Sequence, residues 1–376
     1  MAARSAIALT LWLVVTAPAT ADLFSVGEFT AYGDFRLRAE ADWDSQDAAG
    51  VERDDRTRMR ARLRAGFRLA LNDHWKAEVR LRSGSEDSHQ SPHVTLLDFD
   101  DNDTGDADFD VDRWYVQGST GDLSIWAGRN DLPIWKQNEM LFDDDATMTG
   151  LGFAWSRNLG PGRLALAGGY LSPPAGMRRS SGTLSAIQVA FSPEFKGSRW
   201  TFAVGRYAFE ADLNDPDAAV LLQGNGSRDY EIVAAGIQGR WSVKGRPLSI
   251  GADVMSNEEN YSPADADTFT AANFDQTEGH VLQVTYGGLS DAGQWLFGYF
   301  YADIEALAIN NSYAQDDWVR WGNATQTRAS DLKGHEIRFG WAASARMNLL
   351  ARLYLVEAIT SVEDGTRFRI DFNYSF

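Results

Sequence analysis

Residues 55–71, DRTRMRARLRAGFRLAL, limit this chain more than any other stretch. Arg56, Arg58, Arg60, Arg62, Arg64 and Arg68 alternate with Thr57, Met59, Ala61, Leu63, Ala65, Phe67 and Leu69. Period two sends the two sets to opposite faces of a β-strand. On a helix the same arginines would spread round the circumference and leave no apolar stripe. Unpaired charge in a dry core is very costly, so the basic face meets water or acidic partners. Two architectures satisfy that: a soluble sheet with a solvated face, or the inner wall of a water-filled membrane barrel.

The flanking segments repeat the pattern. Phe35, Leu37, Ala39, Ala41 and Trp43 alternate with Asp34, Arg36, Arg38, Glu40 and Asp42. Trp75, Ala77, Val79 and Leu81 alternate with Lys76, Glu78, Arg80 and Arg82. Three consecutive strands therefore gather Arg36, Arg38, Arg56, Arg58, Arg60, Arg62, Arg64, Arg68, Lys76, Arg80 and Arg82 on one face. Asp34, Glu40 and Glu78 share that face and can pair with some of them.

The rest of the chain selects the barrel. Arg4 and an apolar run from Ala6 to Val15 precede Ala19-Thr20-Ala21, the pattern of a cleaved secretory signal peptide over residues 1–21. The run is shorter than the ~20 residues a spanning helix needs, and no other segment approaches that length. A membrane form of residues 22–376 must then be a closed barrel. About 16 strand-like segments, within two, follow one another. Their connections alternate short and long, and an even count returns both termini to the short-turn side. That rhythm predicts an all-β transmembrane antiparallel barrel with short periplasmic turns and long extracellular loops. Trp43, Trp75, Trp155, Trp200, Trp241, Trp295 and Trp341 fall near strand ends, where interfacial aromatics belong. In the last segment Phe368, Ile370, Phe372, Tyr374 and Phe376 alternate with Arg367, Arg369, Asp371, Asn373 and Ser375. The chain stops on an aromatic strand end.

The absence of cysteine excludes disulfides and thiolate chemistry, and a net charge of −18 argues against nucleic acid.

Gly33-Asp34-Phe35-Arg36-Leu37-Arg38, followed by the 55–64 ladder, resembles the opening hairpin of a family of bacterial outer-membrane porins. So do Trp126-Ala127-Gly128-Arg129-Asn130-Asp131-Leu132-Pro133-Ile134-Trp135, Leu141-Phe142-Asp143-Asp144-Asp145 with Gly150, and the terminal Phe376. Arginine-rich opening hairpins also occur in alginate-export-type barrels, a more distant likeness. The resemblance is clear over residues 30–150 and rests on pattern beyond them. It implies an outer-membrane barrel that passes small hydrophilic solutes, without catalytic residues or cofactor. It also implies contact with outer-membrane lipid and lipopolysaccharide, and recognition of Phe376 by the barrel-assembly machinery. Monomer and homotrimer both stay open.

Three places could carry chemistry. The pore wall (Arg36, Arg38, Arg56, Arg58, Arg60, Arg62, Arg64, Arg80 and Arg82) would focus a positive field and concentrate anions. The loop 130–149 follows the fifth strand; in general 16-stranded porins that loop folds into the lumen. Its Glu139, Asp143, Asp144 and Asp145 would face the arginines across a constriction with a transverse field. Asp100, Asn102, Thr104 and Gly105 mimic the start of a calcium loop, but the twelfth position is Val111. His89 and His93, beside Glu86 and Asp87, have metal-like spacing without strand or helix support. No nucleophile, phosphate-loop or zinc motif is present, so no enzyme is expected. Alternatives to a general diffusion pore are a substrate-specific or polymer-export channel, and a barrel enzyme or adhesin without a conducting lumen.

Overall fold

The computed structural model describes residues 28–100, 108–318 and 329–376. The predicted signal peptide and most of the calcium-like run lie outside them. The strands are β1 (Phe29–Gln46), β2 (Arg56–Ala70), β3 (Trp75–Ser83), β4 (Val94–Asp98), β5 (Phe109–Thr120), β6 (Leu123–Asn130), β7 (Met148–Leu159), β8 (Gly162–Ser172) and β9 (Thr183–Phe195). They continue as β10 (Ser198–Glu210), β11 (Tyr230–Val243), β12 (Arg246–Asn257), β13 (Glu278–Gly287), β14 (Trp295–Ile304), β15 (Leu332–Ser344), β16 (Met347–Ala358) and β17 (Asp364–Ser375).

Neighbours pair antiparallel all the way round, and β1 closes the sheet against β17. The wall has 16 positions because β3 and β4 share one. β2 pairs with β3 from Arg64 to Ala70 and with β4 from Arg58 to Ala61. A single wall strand is thus interrupted by residues 84–93. The sequence suggests one continuous acidic loop over 85–108, since neither the interruption nor the five-residue β4 has a periodic signature. The connection between β16 and β17 is also short for its side of the barrel, spanning only residues 359–363.

The period-two faces point as their polarity requires. Val79, Val189, Phe202, Val254, Phe339 and Ile370 are all exposed on the outer wall. A soluble protein rarely leaves so extensive an apolar surface in water, and lipid is the solvent that suits it. Trp75, Trp155, Trp200, Trp241, Trp295 and Trp341 lie at the short-turn ends of their strands, while Trp43 lies at the long-loop end of β1. Trp295 and Trp341 are direct cross-strand partners, and Trp200 packs edge-on to Trp241 at 5.3 Å. This is one interfacial belt with a single outlier.

Closure depends on a glycine. Gly33 and Phe376 exchange reciprocal main-chain hydrogen bonds of 3.0 Å. A Cβ on Gly33 would lie 2.5 Å from the Phe376 ring. Gly33 therefore leaves room for the terminal aromatic to seal the barrel.

Candidate functional site: an arginine-walled lumen crossed by three inward segments

The inward face of β1 and β2 carries the arginine ladder, and closure adds Arg367, Arg369 and Asp371 from β17 beside it. Most of these guanidiniums are matched to carboxylates. Arg38 bonds Asp371 at 2.6 Å, Arg56 bonds Asp98 at 2.6 Å, and Arg80 bonds Asp112 at 2.6 Å. Arg58 and Arg369 share Glu40, while Arg367 takes Asp42. Arg62 and Arg64 share Asp34, at 2.7 and 2.8 Å. Arg113, from β5, reaches Glu78 at 3.1 Å and also pairs with Asp131.

Not every predicted pore-lining arginine meets open space. Arg82 is almost wholly buried and donates to the carbonyls of Ser88, His89 and Ser91, so it clamps the 84–93 insert. Arg38 is likewise covered, by Asp317 and Asp371. Arg68 sits exposed beside Glu78, and Lys76 lies over the Tyr115 ring.

Three excursions enter the lumen. The first is the insert 84–93. His89 meets the Ser312 carbonyl, and Gln90 donates to the carbonyls of Asn311 and Ala314 at 3.1 and 2.7 Å. His89 and His93 thus have separate surroundings and form no metal pair; among the described residues no cluster of metal-ligating side chains occurs. Asp98 and Asp100 face Arg56 and the Thr57 amide instead.

The second excursion is the segment 131–147, between β6 and β7. It spans the barrel interior. Trp135 donates its amide to Gln188 on β9, and Gln137 and Asn138 bond Asp253 on β12. At the other end Asp145 bonds Arg64 at 2.5 Å and Arg62 at 3.4 Å. The acidic loop and the arginine wall are therefore zipped together at this point. The gap expected between two opposed electrodes is closed by ion pairs.

The third is residues 305–318, after β14. Asp317 takes Arg38 at 3.2 Å, Arg352 at 2.8 Å and Arg369. Main-chain bonds tie it to the second excursion: Asp143 N to Tyr313 O at 2.8 Å, and Gln315 N to Glu139 O at 2.9 Å. Phe142 packs edge-on to Tyr207 at 5.1 Å, and Phe209 stacks on Tyr313 at 5.3 Å. An apolar block thus fills part of the lumen where a polar channel is the simple expectation.

The loop carboxylates divide into charged and neutral. Burial and the neighbouring Asp144 push Glu139 up to about 8. Burial and Glu139 hold Asp143 well above the usual carboxylate range. Asp145 is pulled the other way: burial would raise it, but Arg64, Arg62 and Arg82 outweigh that and keep it low. Asp144 is also held low, despite burial, by Lys136. Beside them lies a cavity of about 360 Å³, with Arg64, Arg80, Arg113, Asp131, Lys136 and Asp144 in its lining. This is an open part of the arginine wall.

The sequence reading misses Arg113, Asp131, Arg352 and Asp317. Arg113 sits in a segment of ragged alternation. The others gain meaning only from what the folded chain brings beside them.

Residues 50–173 match the model of the family described as "Putative porin". The solved structure of Pseudomonas putida OprB at high pH superposes with a TM-score of 0.55, at 12% identity, over 93% of this chain and 94% of that one. The fold is that of a porin-type barrel. Salmonella typhi OmpF in complex with daunomycin gives a TM-score of 0.51 at 12% identity, covering 93% and 97% of the two chains. The trimer form of in-vitro folded OmpT from Vibrio cholerae gives 0.51 at 10% identity, covering 93% and 100%. No curated protein matches the chain. The family match spans the arginine strand, the insert and the inward segment after β6.

Proposed function

We propose that the protein is an outer-membrane porin, a passive channel for small hydrophilic solutes with a preference for anions. One observation carries the reading: a closed barrel, apolar outside, whose interior carries a charged chamber beside an inward loop. The chamber groups Arg64, Arg80, Arg113 and Lys136 against Asp131, Asp143 and Asp144. The lining itself presents four cations against three carboxylates, of which Asp143 is held neutral, while Asp34, Asp145, Asp112 and Glu78 pair with its arginines from outside the lining. Low-dielectric walls focus such a field and concentrate anions near the narrowest point. Glu139 and Asp143–Asp145 serve as the constriction segment, and Arg56–Arg64 as the wall that holds it.

A substrate-specific channel is the second reading, favoured by the apolar block of Phe142, Tyr207, Phe209 and Tyr313. A pore so filled admits fewer shapes than an open polar one. A channel suits the chain better than an enzyme or an adhesin, since its charged groups line an interior.

Removal of residues 1–21 on export, recognition of Phe376 by the assembly machinery, contact with lipopolysaccharide and homotrimer formation belong to the same reading. The test is planar-bilayer recording. A general pore gives stable ohmic steps with an anion-selective reversal potential. Block by one solute at low concentration selects the specific channel, and absence of any single-channel step overturns both.

A further inference from the structure

The first two strands set four guanidiniums in a square. Arg36 stands directly opposite Arg62, and Arg38 directly opposite Arg60, all on the inward face. Like charges directly opposite destabilise a sheet, and a guanidinium does not escape by losing its proton. Each therefore needs an anion. Two of the four have one. Arg38 bonds Asp371 and Asp317, and Arg62 bonds Asp34 and Asp145.

The other diagonal has no carboxylate of its own in direct contact, although Asp371, Asp145 and Asp317 lie near Arg36 and Asp316 lies near Arg60. Arg36 donates to the neutral amide oxygen of Asn373 at 2.7 Å. Arg60 donates to Ser91 Oγ at 3.1 Å and to the His93 carbonyl at 3.5 Å. The carboxylate within its reach is Glu40, at 4.0 Å, which already serves Arg58 and Arg369. Among the described residues Arg36 has no carboxylate within 4.0 Å. The Nε atoms of Arg60 and Arg62 are buried without an acceptor. His93, only 8% exposed, belongs to the insert that covers this square, and neither of its ring nitrogens has a partner. Burial first, then the field of Arg38, Arg60, Arg36 and Arg62, holds that imidazole neutral.

We propose that Arg36, Arg60 and His93 form a binding site for a small oxyanion, a carboxylate or a phosphate, inside the barrel. Planar guanidinium forks match the oxygens of either group, and a neutral imidazole supplies one further N–H donor. Bound there, the anion offers acceptors to the donors that the folded chain leaves open. The site names a solute class for the porin reading and rests on it for the route by which the anion arrives.

Calorimetry on the full-length barrel folded in detergent tests the site, with inorganic phosphate and acetate titrated separately at pH 7 and low chloride. Saturable binding of one or both is expected, and the stronger arm identifies the oxyanion. Arg36→Gln combined with Arg60→Gln should weaken binding tenfold or more. The bound anion should raise the thermal midpoint of the wild type and leave that of the double variant unmoved. If the double variant does not fold, His93→Asn and the single Arg36→Gln variant carry the same two measurements. Absence of saturable heat from both anions, or equal affinity in the variants, overturns the site. Conductance without binding refutes this site alone; binding without conductance refutes the pore and leaves the site standing.

Discussion

Replacing Asp317 with Asn probes what holds the third inward segment in the lumen. Its carboxylate takes Arg352 at 2.8 Å, Arg38 at 3.2 Å and Arg369, and its main-chain carbonyl takes Arg367 at 3.0 Å. The three side-chain partners do not suffer equally. Arg38 keeps Asp371 at 2.6 Å, and Arg369 keeps Glu40. Among the described residues Arg352 keeps the Glu336 carboxylate at 4.0 Å and donates to the Tyr354 hydroxyl at 3.4 Å. One nearly uncompensated buried guanidinium remains, and breaking a buried pair from one side costs about 3–5 kcal/mol. At about 1.4 kcal/mol per decade, the equilibrium between docked and undocked segment shifts by roughly two to three and a half orders of magnitude. The Arg367 contact and the buried rings of Tyr313 and Trp318 survive, so the barrel itself should remain folded. Limited proteolysis of intact cells should then cut within residues 305–318 faster than in the wild type. Bilayer recordings should show larger or flickering steps, and Asp317→Glu should restore much of the wild-type behaviour. Unchanged cleavage together with unchanged conductance would mean that apolar packing, not the Asp317 cluster, holds the segment.

Three further outcomes follow from the same geometry. Glu139 and Asp143 are raised, so the docked segment binds protons that the released one gives up; docking is strongest at about pH 4, the ordinary carboxylate range, and weakens as the pH rises through about 8, where Glu139 loses its proton. Conductance should rise across that interval and level off above it, and Glu139→Gln should flatten the profile; a wild type without pH dependence there refutes the assignment. Asp145, held low, gives the opposite slope at more acid pH. Replacing Arg58, Arg60 and Arg62 with neutral residues should move the reversal potential toward cations, the more so because Glu40, Asp34 and Asp145 lose partners; an unmoved potential would make the ladder purely structural. Gly33→Ala places a methyl 2.5 Å from the Phe376 ring and from the Arg64 carbonyl. It should cost about 1–3 kcal/mol by overpacking, read as a lower urea midpoint of the folded barrel, and an unchanged midpoint would show that β17 adjusts freely.

The sequence by itself determined which side of each strand is polar. Period two is a property of the local backbone, so the alternation of arginine with Leu63, Ala65 and Phe67 needs no tertiary information. The apolar outer wall, the even number of wall positions and the terminal aromatic strand were legible for the same reason. The interior was decided elsewhere. Arg38 and Asp371 lie 333 residues apart and meet only because β17 closes onto β1. Asp317 joins Arg38, Arg352 and Arg369 only because residues 305–318 turn into the lumen. The break between β3 and β4 is an insertion in a wall strand, and its polar composition reads like any loop. Whether a guanidinium is paired, buried as a clamp or left open is a matter of three-dimensional partners. Alternation places Arg36, Arg38, Arg60 and Arg62 on one face. Closure gives Arg38 its Asp371, the opening hairpin and the inward segment give Arg62 its Asp34 and Asp145, and Arg36 and Arg60 face no carboxylate of their own.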